Sequence, residues 1–299
     1  MVICIFNPEH DLCMANGGKH YMPPKSALDF AASSCNLMQV VYPTAVCCTA
    51  LDVAPAFASM EDGTVLVPWG WNLTLKYSLL KQGLPSSLLP SDKQLAYLRN
   101  LQHRTTLLPL QPESCMVTSI DEVAPLLKQH GDLVLKAPWS GAGRGLRWVS
   151  GSLTPLDRSW LDKVVRTQRC AIAEPRWNVE ADFALEYFVD STGLHFGGYS
   201  LFDSSNGVYQ GNYLLSDEAI AQIVAFPEGE RAALEDWLQE TIVPYYRGPL
   251  GIDIILDHDG LHHITELNLR HTMGWVAHEY LRSHPTAEGQ RFSPLKIIV

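Results

Sequence analysis

The sequence predicts a mixed α/β (α+β) fold of two or three lobes packed around one site. Three observations predict it. Short apolar runs alternate with Pro- and Gly-marked breaks over the first ninety residues. A strand, a glycine-rich loop and a second strand follow one another near residues 132–149. A β-hairpin bearing two acids and an amide lies near residues 251–270. The chain has 299 residues and 46% hydrophobic residues, enough for a sizeable core, and 18% charged residues, too few for a disordered chain.

Within residues 1–90, the runs Val2–Phe6, Met38–Val41 and Thr64–Val67 read as strands, with breaks at Pro23-Pro24, Gly70 and Pro85. They predict a small α/β lobe with a largely parallel sheet. Ser91-Asp92-Lys93 opens a helix: Ser91 suits the N-cap, and Leu95, Leu98 and Leu101 follow at helical spacing. A second α/β stretch covers about 105–175. A third begins near Asp182, with strands at Phe183–Val189, Gly251–Leu256 and His262–Leu267. Between them lies an amphipathic helix, about 228–243, with Leu234, Trp237, Leu238 and Ile242 on one face.

Composition excludes some functions. A formal net charge of -10 makes nucleic acid and anionic membrane poor partners. No apolar run approaches the ~18 residues that span a bilayer. The N-terminal Met1–Phe6 run lacks the basic n-region and length of a signal peptide, so a cytoplasmic location is expected. The seven cysteines are scattered without a Cys-x-x-Cys pair and read as reduced, buried thiols.

Two stretches carry chemistry. In Asp132-Leu-Val-Leu-Lys136-Ala-Pro-Trp-Ser140-Gly141-Ala-Gly143-Arg144-Gly145, an apolar strand ends in a lysine and a loop with glycines at alternate positions follows. Glycines let backbone N–H groups approach phosphate oxygens, and the lysine places a point charge on the same ligand. The competing reading is a glycine-rich hairpin with an exposed lysine. A Walker loop is excluded because its Gly-Lys-Ser/Thr ending is missing. In Gly251–Arg270, strand alternation puts Glu266, Asn268 and Arg270 on one face, and antiparallel pairing brings Asp253 beside them. Two carboxylates and an amide oxygen form a hard-oxygen set suited to Mg²⁺. The competing reading is a solvated edge hairpin.

Together these stretches resemble the ATP-grasp superfamily, in the right order over residues 91 to about 280. The resemblance implies a pre-ATP-grasp N-terminal α/β lobe (1–90) and an ATP-grasp domain (91–299). The latter has two α+β lobes that sandwich ATP, with a lid subdomain of about 105–177. It implies a nucleotide site of Lys93 and Lys136 on the α- and β-phosphates, and of Ser140, Gly141, Gly143, Arg144 and Gly145 in the closing loop. Ala171-Ile-Ala-Glu174-Pro-Arg-Trp177 resembles the adenine hinge, the Glu174 carbonyl accepting and the Trp177 N–H donating. Asp182, with Glu180 as competitor, resembles the ribose-contacting acid. Asp253, Glu266 and Asn268 would hold Mg²⁺ (alternatively Mn²⁺), and Arg270 would steady the transferred phosphoryl group, acting catalytically with Lys136.

The implied activity is an ADP-forming ligase with small carboxylate and amine substrates. The alternatives are a small-molecule kinase of the same fold and a nucleotide-binding module without turnover. A homodimer is the default oligomeric expectation. Asn7-Pro8-Glu9-His10-Asp11, closing the first strand, reads equally as a ligand-presenting turn and as a helix cap. His271 reads first as a packing residue and second as a proton acceptor for an amine.

Overall fold

Val2–Phe6 (β1) forms the centre of a three-stranded parallel sheet, between Val46–Thr49 (β2) and Val65–Pro68 (β3). Its unbroken apolar sequence fits a strand covered on both faces: Ile3, Cys4 and Ile5 are fully buried. The structure, a computed structural model, describes residues 1–58, 60–140 and 145–293.

One expected strand is a helix. Met38–Val41 is a helical turn continuing the 3₁₀ segment Cys35–Leu37, with the Tyr42 N–H donating to the Met38 carbonyl (2.9 Å). A four-residue run, Met-Gln-Val-Val, is too short to show its period, and here burial of Met38 in the core decides. The strand in that part of the chain is β2.

The second sheet has the order β4-β7-β5-β6, from Cys115–Val117 (β4), Asp132–Lys136 (β5), Leu146–Ser150 (β6) and Ala171–Pro175 (β7). Helices Ile120–His130 and Pro155–Gln168 cover one face, packing Val123, Leu127, Leu161 and Val164 onto Leu133, Leu135 and Val149. The third sheet is antiparallel, in the order β12-β11-β8-β9-β10-β13. Its strands are Val179–Val189 (β8), Leu194–Ser205 (β9), Val208–Tyr213 (β10), Gly248–Asp257 (β11), His262–Asn268 (β12) and Arg291–Phe292 (β13). Helices Asp217–Val224 and Glu228–Thr241 back it through Ile220, Val224, Leu234 and Leu238, which meet Phe183, Leu185, Ile252 and Ile254.

Strand alternation then fixes the site. In both sheets the helix-covered residues are odd or even partners of residues that point the other way. The uncovered faces present Val134 and Lys136 from β5, and Asp182, Ala184 and Glu186 from β8, to a common cleft. Helix Asp92–Leu101 begins with the expected cap: Ser91 and Gln94 form a capping box, with the Gln94 N–H donating to Ser91 Oγ (3.2 Å). Helix Met273–Ser283 returns to the first sheet, where Val276 and Ala277 join Cys4, Phe6 and Trp69 in one core. Among the described residues no helix is long and apolar enough to cross a membrane, and all seven cysteines are free thiols.

Candidate active site

The cleft between the second and third sheets has a volume of about 400 Å³ and is bounded at one end by the first lobe. That size is ordinary for a small-molecule site. Lys136, Ser140, Glu174, Trp177, Asp182, Asp253, Glu266, Asn268 and Arg270 all line it.

The hairpin β11–β12 supplies the acidic wall. Asp253 stands directly opposite Glu266, and Asn268 donates through Nδ2 to Asp253 Oδ2 (3.2 Å). A bulge makes this possible. Thr265 is the extra residue on β12, so Ile264 pairs with Ile254 on the core side while Glu266 faces the cleft. Burial, and then the charge of Glu266, push the Asp253 carboxyl well above its usual range. A cation between the two acids would remove that repulsion. Among the described residues no three His, Cys, Asp or Glu side chains gather into a metal cage. Two carboxylates and an amide leave the other coordination positions to water or phosphate oxygens, which is how Mg²⁺ usually binds, so these residues fit that ion.

The opposite wall is basic. Lys136 pairs with Glu174 at 2.7 Å, both nearly buried, on neighbouring strands β5 and β7. Trp177 stacks face to face on His263 (centroids 3.5 Å, planes 10° apart), and His263 is fixed by Asp257 at 2.8 Å. An apolar plate thus lies at the hinge end. Asp182 accepts from Ser204 Oγ (2.5 Å), and burial raises its carboxyl above the usual range. Glu180 is exposed beside His258 and does not line the cleft. The glycine loop is pinched at its base: a Cβ on Gly145 would sit 2.3 Å from Ser140 Oγ, and the Ala137 N–H donates to the Gly145 carbonyl (2.8 Å). Gly141, Gly143 and Arg144 lie outside the described residues.

Lys93 is placed apart from these groups. It is exposed on the first turn of helix Asp92–Leu101 and does not line the cleft. Its neighbour Asp92 instead ties that helix to the first lobe through Lys76 (2.6 Å) and Lys19 (2.9 Å). Arg104 occupies the cleft. It is buried, donates from Nη1 to Ser140 Oγ and the Ala137 carbonyl (both 2.7 Å), and pairs from Nη2 with Glu266 (2.7 Å). Its Nε–H has no partner among the described residues.

Two further acids belong to the site: Asp11, from the Asn7–Asp11 turn singled out in the sequence, and Glu186, which sequence reasoning missed as it missed Arg104. Asp11, in the first helix, grips Arg270 bidentately (3.0 and 3.0 Å). Burial alone would raise its carboxyl, but Arg270 more than offsets this and holds it low. Glu186 is buried between Thr272 and Ser200, and burial pushes it up to about 7. The available signal for Glu186 was a lone charge inside an apolar run, Phe-Ala-Leu-Glu-Tyr-Phe-Val, whereas Arg104, between Gln-His and Thr-Thr, carries no such signal.

His271 is a packing residue in this structure. It stacks on Trp69 (5.8 Å), meets the Tyr42 hydroxyl (3.0 Å) and is buried. Burial lowers its imidazole from 6.5 to about 4. The stability gained by burying it neutral is complete above pH 6.5 and is lost as pH falls towards 4. NMR of the ring protons should therefore show no titration of His271 between about pH 8 and pH 5. A midpoint near its free value would show the ring to be solvated.

No family model and no curated protein matches the chain. Solved structures do. N5-carboxyaminoimidazole synthetase from Staphylococcus aureus, complexed with ADP, is similar over 98% of this chain and 78% of its own, at TM-score 0.52 and 15% identity. Biotin carboxylase from Campylobacter jejuni, in a β,γ-ATP complex, is similar over 94% and 67%, at TM-score 0.55 and 13% identity. D-cycloserine synthetase DcsG is similar over 95% and 99%, at TM-score 0.55 and 11% identity. At such identities the likeness is one of architecture: the chain has the ATP-grasp fold.

Proposed function

We propose that the chain is a Mg-ATP-dependent ligase that activates a carboxylate as an acyl phosphate and joins it to an amine. One observation carries this reading. A single cleft sets the cations Lys136 and Arg104 against the oxygen set of Asp253, Glu266 and Asn268, with Arg270 at its inner end. Phosphoryl transfer asks a protein for alignment and charge neutralisation rather than covalent chemistry, and this arrangement supplies both.

The Trp177 ring provides a surface for the base, and Asp182 an acceptor for the sugar. Lys136 and Arg104 hold the phosphates. Mg²⁺ bound by Asp253, Glu266 and Asn268 would supply Lewis acidity and neutralise phosphate oxygens. Arg270, oriented by Asp11, steadies the transferred phosphoryl group while the substrate carboxylate attacks the γ-phosphate and ADP leaves. The amine then attacks the acyl carbon and phosphate leaves. Ser140 and Gly145 set the base of the loop that excludes water from the acyl phosphate. The structural neighbours whose names describe ADP or ATP complexes support the nucleotide side of this reading.

The test is incubation of the purified chain with Mg-ATP and pools of amino acids, amines and small carboxylates. Phosphate and ADP should form together with a new condensed mass. A stable phosphorylated product without free phosphate would overturn the ligase reading. The phosphate assignment has its own check. Arg104→Gln should weaken ATP binding by about 1.5–3 kcal/mol, the value of a charge-assisted hydrogen bond, whereas Lys93→Ala should leave it within roughly 0.5 kcal/mol. Calorimetry showing the reverse order would return the role to Lys93.

A further inference from the structure

Past Arg270 the cleft changes character. Its far end is walled by Phe6, Phe30 and Trp69 of the first lobe and by Met273 of the last long helix. Phe6 packs edge to face on Phe30 (5.8 Å) and on Trp69 (5.2 Å), so the wall is rigid as well as apolar. Into this end projects the carboxylate of Glu186, from β8.

Glu174 has Lys136, Glu266 has Arg104 and Asp11 has Arg270, whereas Glu186 has no ion pair among the described residues. Of the acids around the cleft, Asp182 and Asp253 also lack an ion pair among the described residues, but the reading above gives them the sugar and the cation. Two hydroxyls hold it: Thr272 Oγ1 donates to both of its oxygens (2.8 Å each), and Ser200 Oγ donates to Oε1 (3.1 Å). Thr272 is also the N-cap of helix Met273–Ser283, whose positive end favours the ionised acid. Two glycines let the backbone close on the carboxylate: a Cβ on Gly274 would stand 2.2 Å from Oε1, and one on Gly251 3.0 Å from Oε2. If capping were the whole role, a neutral amide would accept the same two hydroxyl bonds without the cost of burying a charge.

We propose that this end of the cleft is a pocket for a primary ammonium group carried on an apolar or aromatic body, with Glu186 as its counter-charge. An ammonium brings three donors and no acceptor, which suits a carboxylate with lone pairs to spare, and the aromatic wall adds cation–π attraction. Against burial, His278 and Arg270 lower the Glu186 carboxyl only as neighbouring charges: Asp217 pairs with the first and Asp11 with the second, and neither bonds Glu186. The place of this pocket in the reaction rests on the ligase reading above: the ammonium belongs either to the acceptor amine or to a carboxylate substrate that also bears an amino group.

The test is calorimetric binding of phenethylamine, its neutral isostere phenethyl alcohol, phenylalanine and hydrocinnamate to the full chain. Each is measured with and without Mg²⁺ and a non-hydrolysable ATP analogue. Phenethylamine should bind at least about tenfold more tightly than the alcohol, and Glu186→Gln, which keeps both hydroxyl contacts, should erase that preference. Phenylalanine binding more tightly than phenethylamine assigns the ammonium to the carboxylate substrate; the opposite order assigns it to the acceptor. Equal binding of amine and alcohol to the wild type, no binding by any ammonium probe, or a preference retained in Glu186→Gln would overturn the proposal. The wild-type comparison decides it even if the variant fails to fold. Failure of the ATP analogue alone would sink the ligase reading and leave the pocket standing. A bound analogue without amine binding would sink the pocket alone.

Discussion

Glu266→Gln is expected to lower ATP turnover on the order of a thousandfold while leaving the affinity for a non-hydrolysable ATP analogue within about tenfold of wild type. The asymmetry follows from position. Glu266 faces Asp253 across the hairpin and Arg104 across the cleft, so it serves the cation and the reacting end of the nucleotide. The groups assigned to the base, the sugar and one side of the phosphates, namely Trp177, Asp182 and Lys136, are untouched, and Arg104 loses only its ion partner. Removing one negative charge near phosphates also relieves repulsion, which offsets part of the lost metal-mediated affinity. Turnover measured as ADP release, together with analogue affinity by calorimetry, checks both halves. Unchanged turnover would remove Glu266 from the metal set.

Lys136→Met is expected to destabilise the protein by about 3–5 kcal/mol, because it leaves a buried carboxylate without its partner. The Glu174 side chain is only 4% exposed, so water cannot replace the ammonium. The double variant Lys136→Met, Glu174→Gln should recover most of that loss, since a neutral pair of similar volume carries no desolvation penalty. Its nucleotide affinity should stay low. Denaturant unfolding of the single and double variants separates the two roles: rescued stability without rescued binding marks Lys136 as both a core ion and a ligand group. Rescue of both would mean that the lysine only balances Glu174.

The fold was legible where the chain repeats a period long enough to read. The strand Val179–Val189, the hairpin of β11 and β12 and the helix Glu228–Thr241 all carry sustained alternation or helical spacing. Met38–Val41 was not legible, because three apolar residues and a glutamine in a row satisfy strand and helix equally, and a distant surface decided between them. The hairpin acids were visible as residue types, but their opposition depends on the bulge at Thr265, which sequence alternation alone does not reveal. Arg104 and Glu186 were invisible for another reason. Each is a single charge whose partners come from 14 to 162 residues away, as with Glu186 and Ser200 or Arg104 and Glu266, and no local pattern encodes such a meeting.

The joint core formed by Cys4, Phe6 and Met38 with Val276, Ala277 and Phe292 has a consequence for biogenesis. The parallel sheet emerges from the ribosome before the helix that shields it, which starts 235 residues after Met38, at Met273 (273 − 38). Until then its oily flank has only the partial cover of Phe30, Ala31 and Leu37 and invites chaperones or aggregation. Closing so large a loop costs little extra entropy but takes time, so the chamber that Phe6 and Trp69 help to wall should mature only after the helix Met273–Ser283 is made.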